Sequence, residues 1–318
     1  AGRGLGAGKQ LAQFFEGIGL KLVEIWVHGS WAMSGATSGP GLDYRPASPA
    51  AIAALVAGAT VWGLIWYPYR LIEAAGFSGA LATTLTYAVA LVVAIPLFWR
   101  RLRGARVDLW LLAIALTSAG CNLGYVLAML DGQVMRVLLL FYLAPLWTVL
   151  LARLLLQERL MPTGVGVVGL SLAGAGIMLW RPELGWPWPQ AGAEWLGLAA
   201  GFCFALSNVL IRRASHHTIE LKSTAVFAGV VVLGLAWEAL LTPVAVMPAV
   251  PLPAWLLVLA VGLVLLAVNL VVQYGLVRVA ASRAIVIFLF ELVVAAFASW
   301  WLAAETMGPQ EWLGGSLI

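Results

Sequence analysis

Charged residues are scarce in this chain. Asp, Glu, Lys and Arg make up 10% of its 318 residues, whereas apolar residues make up 63%. A soluble domain carries about 25% charged and about 45–50% apolar residues. A chain with so little charge cannot hide its apolar surface inside one water-facing globule. The composition therefore excludes a soluble protein and predicts one that crosses a membrane several times.

Cysteine and histidine are also rare. The two cysteines, Cys121 and Cys203, both lie within apolar runs, which argues against a disulfide framework or a zinc site. The three histidines, His28, His216 and His217, lie outside those runs. An intramembrane enzyme would need converging acid, base or metal groups. We therefore predict no enzymatic activity, no metal site and no cofactor.

Long apolar runs dominate what is present. A membrane span needs about 20 apolar residues, and ten such runs follow one another with short connections. They cover approximately residues 50–70, 78–98, 108–129, 134–153, 162–181, 194–212, 223–242, 253–276, 282–302 and 307 to the end.

The few basic residues predict the orientation of these spans. They fall between the apolar runs and not in one basic stripe, which argues against nucleic-acid binding. Connections on the side with more Lys and Arg lie in the cytoplasm, which places both termini there. The richer side follows spans two, four and six and holds Arg100, Arg101, Arg103, Arg106, Arg153, Arg159, Arg212, Arg213 and Lys222. The poorer side holds Arg70, Arg136, Arg181, Arg278 and Arg283.

An internal repeat relates the two halves of the chain. The segment VMRVLLLFYLAPLWTVLLARLLLQERLMP (134–162) aligns with ASRAIVIFLFELVVAAFASWWLAAETMGP (281–309) at one constant shift. This shift pairs Phe141 with Phe288 and Glu158 with Glu305, and Gly58 matches Gly201 at a slightly smaller one. Five spans per repeat is an odd number, so the second repeat must be inserted upside down. We therefore predict an all-α integral membrane fold of ten helices in two inverted five-helix repeats.

The domain boundaries follow from the repeat. Residues 49–181 form the first repeat and residues 193–318 the second, whose tenth helix ends short of its counterpart and is expected to be truncated. Residues 1–48 have no counterpart in either repeat. Their segment 11–27 mixes apolar and charged residues, so an interfacial helix and an extension unrelated to the fold both remain open.

Several motifs resemble the drug/metabolite transporter superfamily, in its ten-helix branch with two EamA repeats. They are TVWGLIW in the first span, the segment YLAPLWTVLLARLLLQERLMPTGVGVVGLSLAGAGIML closing repeat one, and FELVVAAFASWWLAAETMGPQEWLGGSLI closing repeat two. Gln157-Glu158-Arg159 fits the turn of the family pattern, whereas Leu292 replaces its usual proline after Glu291.

The resemblance implies a secondary transporter in a bacterial inner membrane. The chain is similar to exporters of aromatic and other amino acids, so the implied substrate is a neutral amino acid or a similar small metabolite, moved by alternating access. A multidrug or organic-cation exporter of the same superfamily remains an alternative. A nucleotide-sugar carrier would need mid-span Lys or Arg, which the sequence lacks. The protein would contact the lipid bilayer as a monomer or a homodimer.

Polar and large aromatic residues inside the spans are the candidates for the substrate site. Such residues are costly in a membrane and usually face the bundle interior. The structural alternatives are an aromatic belt for Trp and Tyr and interhelical hydrogen bonds for Asn and Gln. The candidates are Trp62, Trp66, Tyr87, Asn122, Tyr142, Asn208, Trp237, Asn269, Gln273, Tyr274 and Glu291.

Glu291 is the most anomalous of these candidates, because it lies about halfway along its span. Its repeat mate is Ala144, so the carboxyl group belongs to one half only. We predict that Glu291 faces the interior between the repeats. A structural or gating role and direct handling of substrate or protons are both open.

Overall fold

The computed structural model describes residues 48–131, 140–158, 162–180, 191–241 and 250–302, with residues 137, 189, 309, 313 and 317. Within these ranges the chain is helical and contains no β-strand. Most of the predicted extension at residues 1–48 lies outside them. So does the predicted tenth span, apart from Pro309, Leu313 and Leu317, which are helical.

Nine α-helices occupy the described ranges. They are α1 (Pro49–Ala74), α2 (Gly79–Leu102), α3 (Leu109–Asp131), α4 (Ala144–Leu151), α5 (Pro162–Leu179), α6 (Gly192–Arg213), α7 (Ile219–Leu241), α8 (Leu252–Leu276) and α9 (Ala281–Leu302). Six of these helices, namely α1, α2, α3, α6, α7 and α8, are long and apolar enough to cross a membrane.

Local signals in the sequence start several of these helices. The Ser48 hydroxyl accepts a hydrogen bond from the Ala51 amide, and Pro49 follows as the first residue of α1. Ser78 caps α2 in the same way through the Leu81 amide. A serine cap satisfies one of the amide groups that a helix start leaves unpaired. Proline suits the first turn because its missing N–H has no partner there.

The fourth span differs from the sequence prediction. An uninterrupted helix was expected over 134–153, but residues Tyr142 and Leu143 form a turn, and helix α4 begins at Ala144. Pro145 is the physical reason, because its ring has no N–H to donate and would clash with the carbonyl group four residues earlier. Leu292 occupies the corresponding place in the second repeat, and α9 runs past it without a break.

The far end of α4 is also irregular. Residues Ala152–Leu156 continue it as a π-helical turn, and Gln157 then adopts a left-handed conformation with φ of 55°. This ending turns the chain so that Glu158 reaches two other elements. Its carboxylate accepts a hydrogen bond of 2.6 Å from Arg212 Nε in α6 and one of 3.2 Å from the Ala281 amide of α9.

Helices from the two halves of the sequence interleave in the packing. Helix α1 packs against α8 and α9, α2 packs against α7 and α8, and α3 packs against α6 and α7, while α4 contacts α6. The main core lies along these contacts and includes Leu55, Ile72, Phe227, Leu265 and Phe288. Large apolar residues such as Val92, Leu116 and Val232 are exposed on the outside, as expected for helices that face lipid.

The connection between α2 and α3 and the one between α6 and α7 meet at one end of the bundle. Arg101 forms a salt bridge of 3.2 Å with Glu220, and the Arg213 guanidinium carbon lies 5.6 Å from the centre of the Trp110 ring. The Nζ atom of Lys222 donates a 2.9 Å hydrogen bond to the Ile211 carbonyl. The basic residues of these two connections therefore lie on the same side, as the charge count predicts.

Candidate functional site

The interrupted fourth span brings Tyr142 against Glu291. The Tyr142 hydroxyl lies beside the Glu291 carboxyl group, which brings the turn before α4 against the middle of α9. Tyr142 is buried, while Glu291 is half-buried. Two residues predicted separately from the sequence are thus paired across the two halves of the chain.

Aromatic and small apolar side chains surround this pair. Cys121, Phe141, Ala200, Leu289 and Leu292 form one buried cluster with Tyr142, and Tyr125, Cys203 and Phe204 pack against it. The ring centres of Tyr125 and Phe141 are 4.9 Å apart, and those of Phe141 and Phe204 are 5.6 Å apart. We refer to Glu291, Tyr142, Tyr125, Phe141, Phe204 and Cys121 as the Glu291 cluster.

Helix α1 closes the cluster from the opposite half. A Cβ atom added at Gly63 would lie 2.8 Å from the Glu291 carbonyl oxygen and 2.8 Å from Val294 Cβ. The absence of a side chain at position 63 therefore allows the backbones of α1 and α9 to approach closely. Trp62 and Trp66 flank Gly63 on α1, within one helical turn of this contact, and both are half-buried.

Tyr87 and Asn122 form a second polar pair, between α2 and α3. The Tyr87 hydroxyl donates a 2.7 Å hydrogen bond to Asn122 Oδ1, and the Asn122 amide donates one of 2.8 Å to the Ser118 carbonyl. Asn122 directly follows Cys121, so this pair adjoins the Glu291 cluster. The hydroxyl groups of Tyr69 and Thr86, 2.7 Å apart, continue the polar contacts between α1 and α2.

Four other candidates have partners elsewhere. Trp237 packs with Leu123, Leu127 and Leu233. The Arg278 guanidinium carbon lies 3.8 Å from the centre of the Tyr274 ring. Gln273 donates a 2.9 Å hydrogen bond to Asn269 within α8. These contacts resemble the packing and hydrogen-bonding alternatives that the sequence left open for them.

Three candidates carry buried polar atoms that lack a hydrogen-bond partner in the described part of the chain. They are Trp66 Nε1, Asn208 Nδ2 and Gln273 Oε1. A buried polar group without a partner costs about 1–3 kcal/mol. Each of these atoms is therefore a place where a polar group of a ligand, or a water molecule, would bind favourably.

The sequence-based candidates omitted several members of the Glu291 cluster. Tyr125 lies three residues after Asn122, and this spacing alone predicts that the two share one face of α3. Phe141, Phe204 and Cys121 carried no such signal, because apolar residues in an apolar span are indistinguishable from lipid-facing ones by composition. Their role depends on contacts between α3, α4, α6 and α9.

A separate polar cluster lies at the end where the connections α2–α3 and α6–α7 meet. It consists of Asp108, His216 and His217. Desolvation raises the pKa of Asp108, but contacts with His216, the Leu111 amide and His217 outweigh it and hold the pKa well below its usual range. Asp108 is consequently ionised at neutral pH.

Comparison with known proteins finds one family to which part of the chain is similar. Residues 191–318 match the EamA-like transporter family. This EamA-like segment contains α6, α7, α8 and α9, and with them Glu291 and Phe204. The six apolar helices indicate a multi-pass membrane protein, and the matched segment is similar to a family of membrane transporters.

The fold has counterparts among solved structures. Twenty-seven chains match, and one of them, described only as a crystal structure of a protein, superposes with a TM-score of 0.67 at 20% sequence identity. The alignment covers 84% of this chain and 94% of that one. At this identity the likeness shows the fold alone. No curated protein matches the chain in sequence.

Proposed function

We propose that this protein is a secondary transporter that exports neutral amino acids or similar small metabolites across a bacterial inner membrane by alternating access. The contact between Tyr142 and Glu291 is the observation that carries the proposal. It lies where a helix from one half of the chain is interrupted and meets a helix from the EamA-like segment. Transporters typically bind substrate at such discontinuous helices, between their two repeats.

The packing of the helices supports the inverted repeats that this mechanism uses. An inverted five-helix repeat would relate α1 to α6, α3 to α8 and α4 to α9. Under this relation, the contact between α1 and α8 corresponds to the contact between α6 and α3. The contact between α1 and α9 likewise corresponds to the contact between α6 and α4. All four contacts are present. Gly201 packs on Phe141, and its repeat mate Gly58 lies near Phe288, the repeat mate of Phe141.

The Glu291 cluster has the chemistry that a zwitterionic substrate needs. The Glu291 carboxyl oxygens can accept hydrogen bonds from a substrate ammonium group. Trp66 Nε1 on α1 is a buried donor without a partner in the described ranges and suits a substrate carboxylate. The rings of Tyr125, Phe141 and Phe204 offer apolar walls for a hydrophobic or aromatic side chain.

An organic cation is the second candidate substrate, and the same cluster favours it for a specific reason. Glu291 is an acidic group among aromatic rings, and a cation binds to both the carboxylate and the ring faces. Only the substrate carboxylate distinguishes the two classes. The Nε1 donor of Trp66 would bind the carboxylate of an amino acid and would have no such partner on a cation that lacks one.

Flux into or out of proteoliposomes containing the purified full-length chain tests both candidates. Labelled neutral amino acids are expected to move, and replacement of Glu291 by Gln is expected to slow them about tenfold or more, because a charge-assisted hydrogen bond is worth about 1.5–3 kcal/mol. Glu238→Gln is the matched control. Its carboxylate accepts a 3.1 Å hydrogen bond from Ser78, the residue that caps α2, so the rate should not change.

The same assay separates the alternatives. Movement of quaternary ammonium compounds without movement of any amino acid would replace the first candidate by the second. If the flux does not depend on an imposed pH gradient and is retained in the Glu291→Gln variant, Glu291 does not transfer protons during transport. A chain that moves neither substrate class would contradict the proposal.

A further inference from the structure

Asp108, His216 and His217 come together from two distant parts of the chain. Asp108 directly precedes α3, and the two histidines lie between α6 and α7. The Nε2 atoms of His216 and His217 lie 3.1 Å and 2.8 Å from the same carboxylate oxygen, Asp108 Oδ2. All three ligand atoms lie within 4.8 Å of one another.

The carboxylate of Asp108 is oriented by the start of α3. Its other oxygen, Oδ1, accepts a 3.0 Å hydrogen bond from the Leu111 amide. This helix-capping contact turns Oδ2 towards the two imidazole rings. Metal sites commonly use such an additional hydrogen bond to hold a carboxylate ligand in place.

Asp108 does not provide an aligned hydrogen bond to both histidine Nε2 atoms. His216 is aligned for a hydrogen bond to Oδ2. The Nε2 atom of His217 is buried and lies 2.8 Å from the same oxygen, yet it makes no aligned hydrogen bond within the described part of the chain. The side chain of His217 is 11% exposed, so little water reaches it to compensate. One carboxylate oxygen thus faces two nitrogen ligands at close range.

This arrangement suits a tetrahedral metal ion. Zinc lies about 2.0–2.1 Å from imidazole nitrogen and about 2.0–2.2 Å from carboxylate oxygen, so neighbouring ligand atoms are about 3.3 Å apart. The distances from Asp108 Oδ2 to the Nε2 atoms of His216 and His217, 3.1 Å and 2.8 Å, are a few tenths of an ångström shorter than this separation. Small side-chain movements would therefore admit an ion.

We propose that Asp108, His216 and His217 bind a divalent transition-metal ion, with zinc as the type case. Two imidazoles and one carboxylate leave a fourth position open, and the 54% exposure of the His216 side chain makes that position accessible to water. Asp108 and His216 are 108 residues apart in the chain, so no local sequence pattern indicates this combination. A bound ion would tie the connection between α2 and α3 to the one between α6 and α7.

Neighbouring charges do not compete for the ion. Glu220 in the first turn of α7 is paired with Arg101. Arg213 lies against the Trp110 ring. Among the residues that the structure describes, Asp108, His216 and His217 combine metal-ligand chemistry with mutual proximity.

Calorimetric titration of the purified full-length chain with ZnCl2 in detergent, after removal of any polyhistidine tag, tests the site. We expect one zinc ion per chain and a rise in melting temperature on zinc addition. Asp108→Asn retains the helix cap but removes the anionic ligand, and it should weaken binding about tenfold or more. His217→Ala should do the same.

One control variant and one further ligand variant complete the test. His28→Ala removes the only other histidine and should leave zinc affinity unchanged. His216→Ala alters a largely exposed side chain, so it should fold even if His217→Ala does not, and it should also weaken binding. Absence of zinc binding to the unaltered chain would overturn the proposal, as would an affinity that all three ligand variants leave unchanged. Neither result depends on transport.

Discussion

Glycine at position 201 sets how closely α6 approaches the turn before α4. An added Cβ atom there would overlap the carbonyl group of Phe141. Backbone atoms cannot rotate away as a flexible side chain can, so the helices would have to move apart. The same turn carries Tyr142, which makes the spacing at Gly201 part of the geometry of the Glu291 cluster.

Substitution of Gly201 by Ala is therefore expected to destabilise the protein. Overpacking of a close contact costs about 1–3 kcal/mol, and thermal unfolding in detergent should show a lower midpoint. Gly166→Ala is the matched control, because no atom lies within 4 Å of the added methyl group among the described residues. Alanine favours a helix by about 1 kcal/mol over glycine, so this midpoint should stay or rise. Equal midpoints for the two variants would contradict the close packing.

At the scale of elements, Glu158 joins the end of α4 to two other helices. Its carboxylate binds Arg212 of α6 and the first amide group of α9. Arg212 Nη1 also donates a 2.6 Å hydrogen bond to the Val279 carbonyl in the connection before α9. One ion pair thus fixes the relative positions of α4, α6 and the start of α9.

Loss of the Glu158 carboxylate should loosen this junction. Glu158→Ala leaves Arg212 without its acidic partner, and breaking a largely buried ion pair costs about 3 kcal/mol. Glu158→Gln retains one acceptor oxygen and should cost less. Thermal unfolding measures both, with Glu73→Ala as the control, since Glu73 is exposed near the end of α1. If Glu158→Ala and Glu73→Ala unfold at the same temperature, the junction does not stabilise the fold.

At the scale of the whole molecule, the orientation in the membrane remains a prediction. The basic residues predict that the connection between α2 and α3 lies in the cytoplasm, and the salt bridge between Arg101 and Glu220 puts the connection between α6 and α7 at the same end of the bundle. The connection between α1 and α2 should then face the opposite side.

Labelling of introduced cysteines in whole cells tests this orientation. Val107→Cys is exposed between α2 and α3, and Ala74→Cys is exposed at the end of α1. An impermeant maleimide should label Ala74→Cys and should label Val107→Cys only after the membrane is opened. The unaltered chain, labelled in parallel, sets the background from Cys121 and Cys203. Labelling of Val107→Cys in intact cells, with Ala74→Cys labelled only after the membrane is opened, would show the opposite orientation.

The sequence predicted the helices better than the site. The ends of α1, α2 and α8 lie within a few residues of their predicted spans, because long apolar runs and serine or proline starts are local signals. Pro145 was also a local signal, yet the fourth span was predicted as continuous. Tyr142 and Glu291 could each be identified as candidates from the sequence, but their contact could not.

The sequence alone determined that the chain lies in a membrane, where its helices run and which polar residues are anomalous within them. These properties follow from composition and short-range periodicity. Only the tertiary structure decided that Tyr142 meets Glu291 and that Asp108 meets His216 and His217. Asp108 and His216 are 108 residues apart in the chain, and the contact depends on how α2, α3, α6 and α7 pack. Packing between distant segments follows from the shape of whole helix surfaces, which no local pattern encodes.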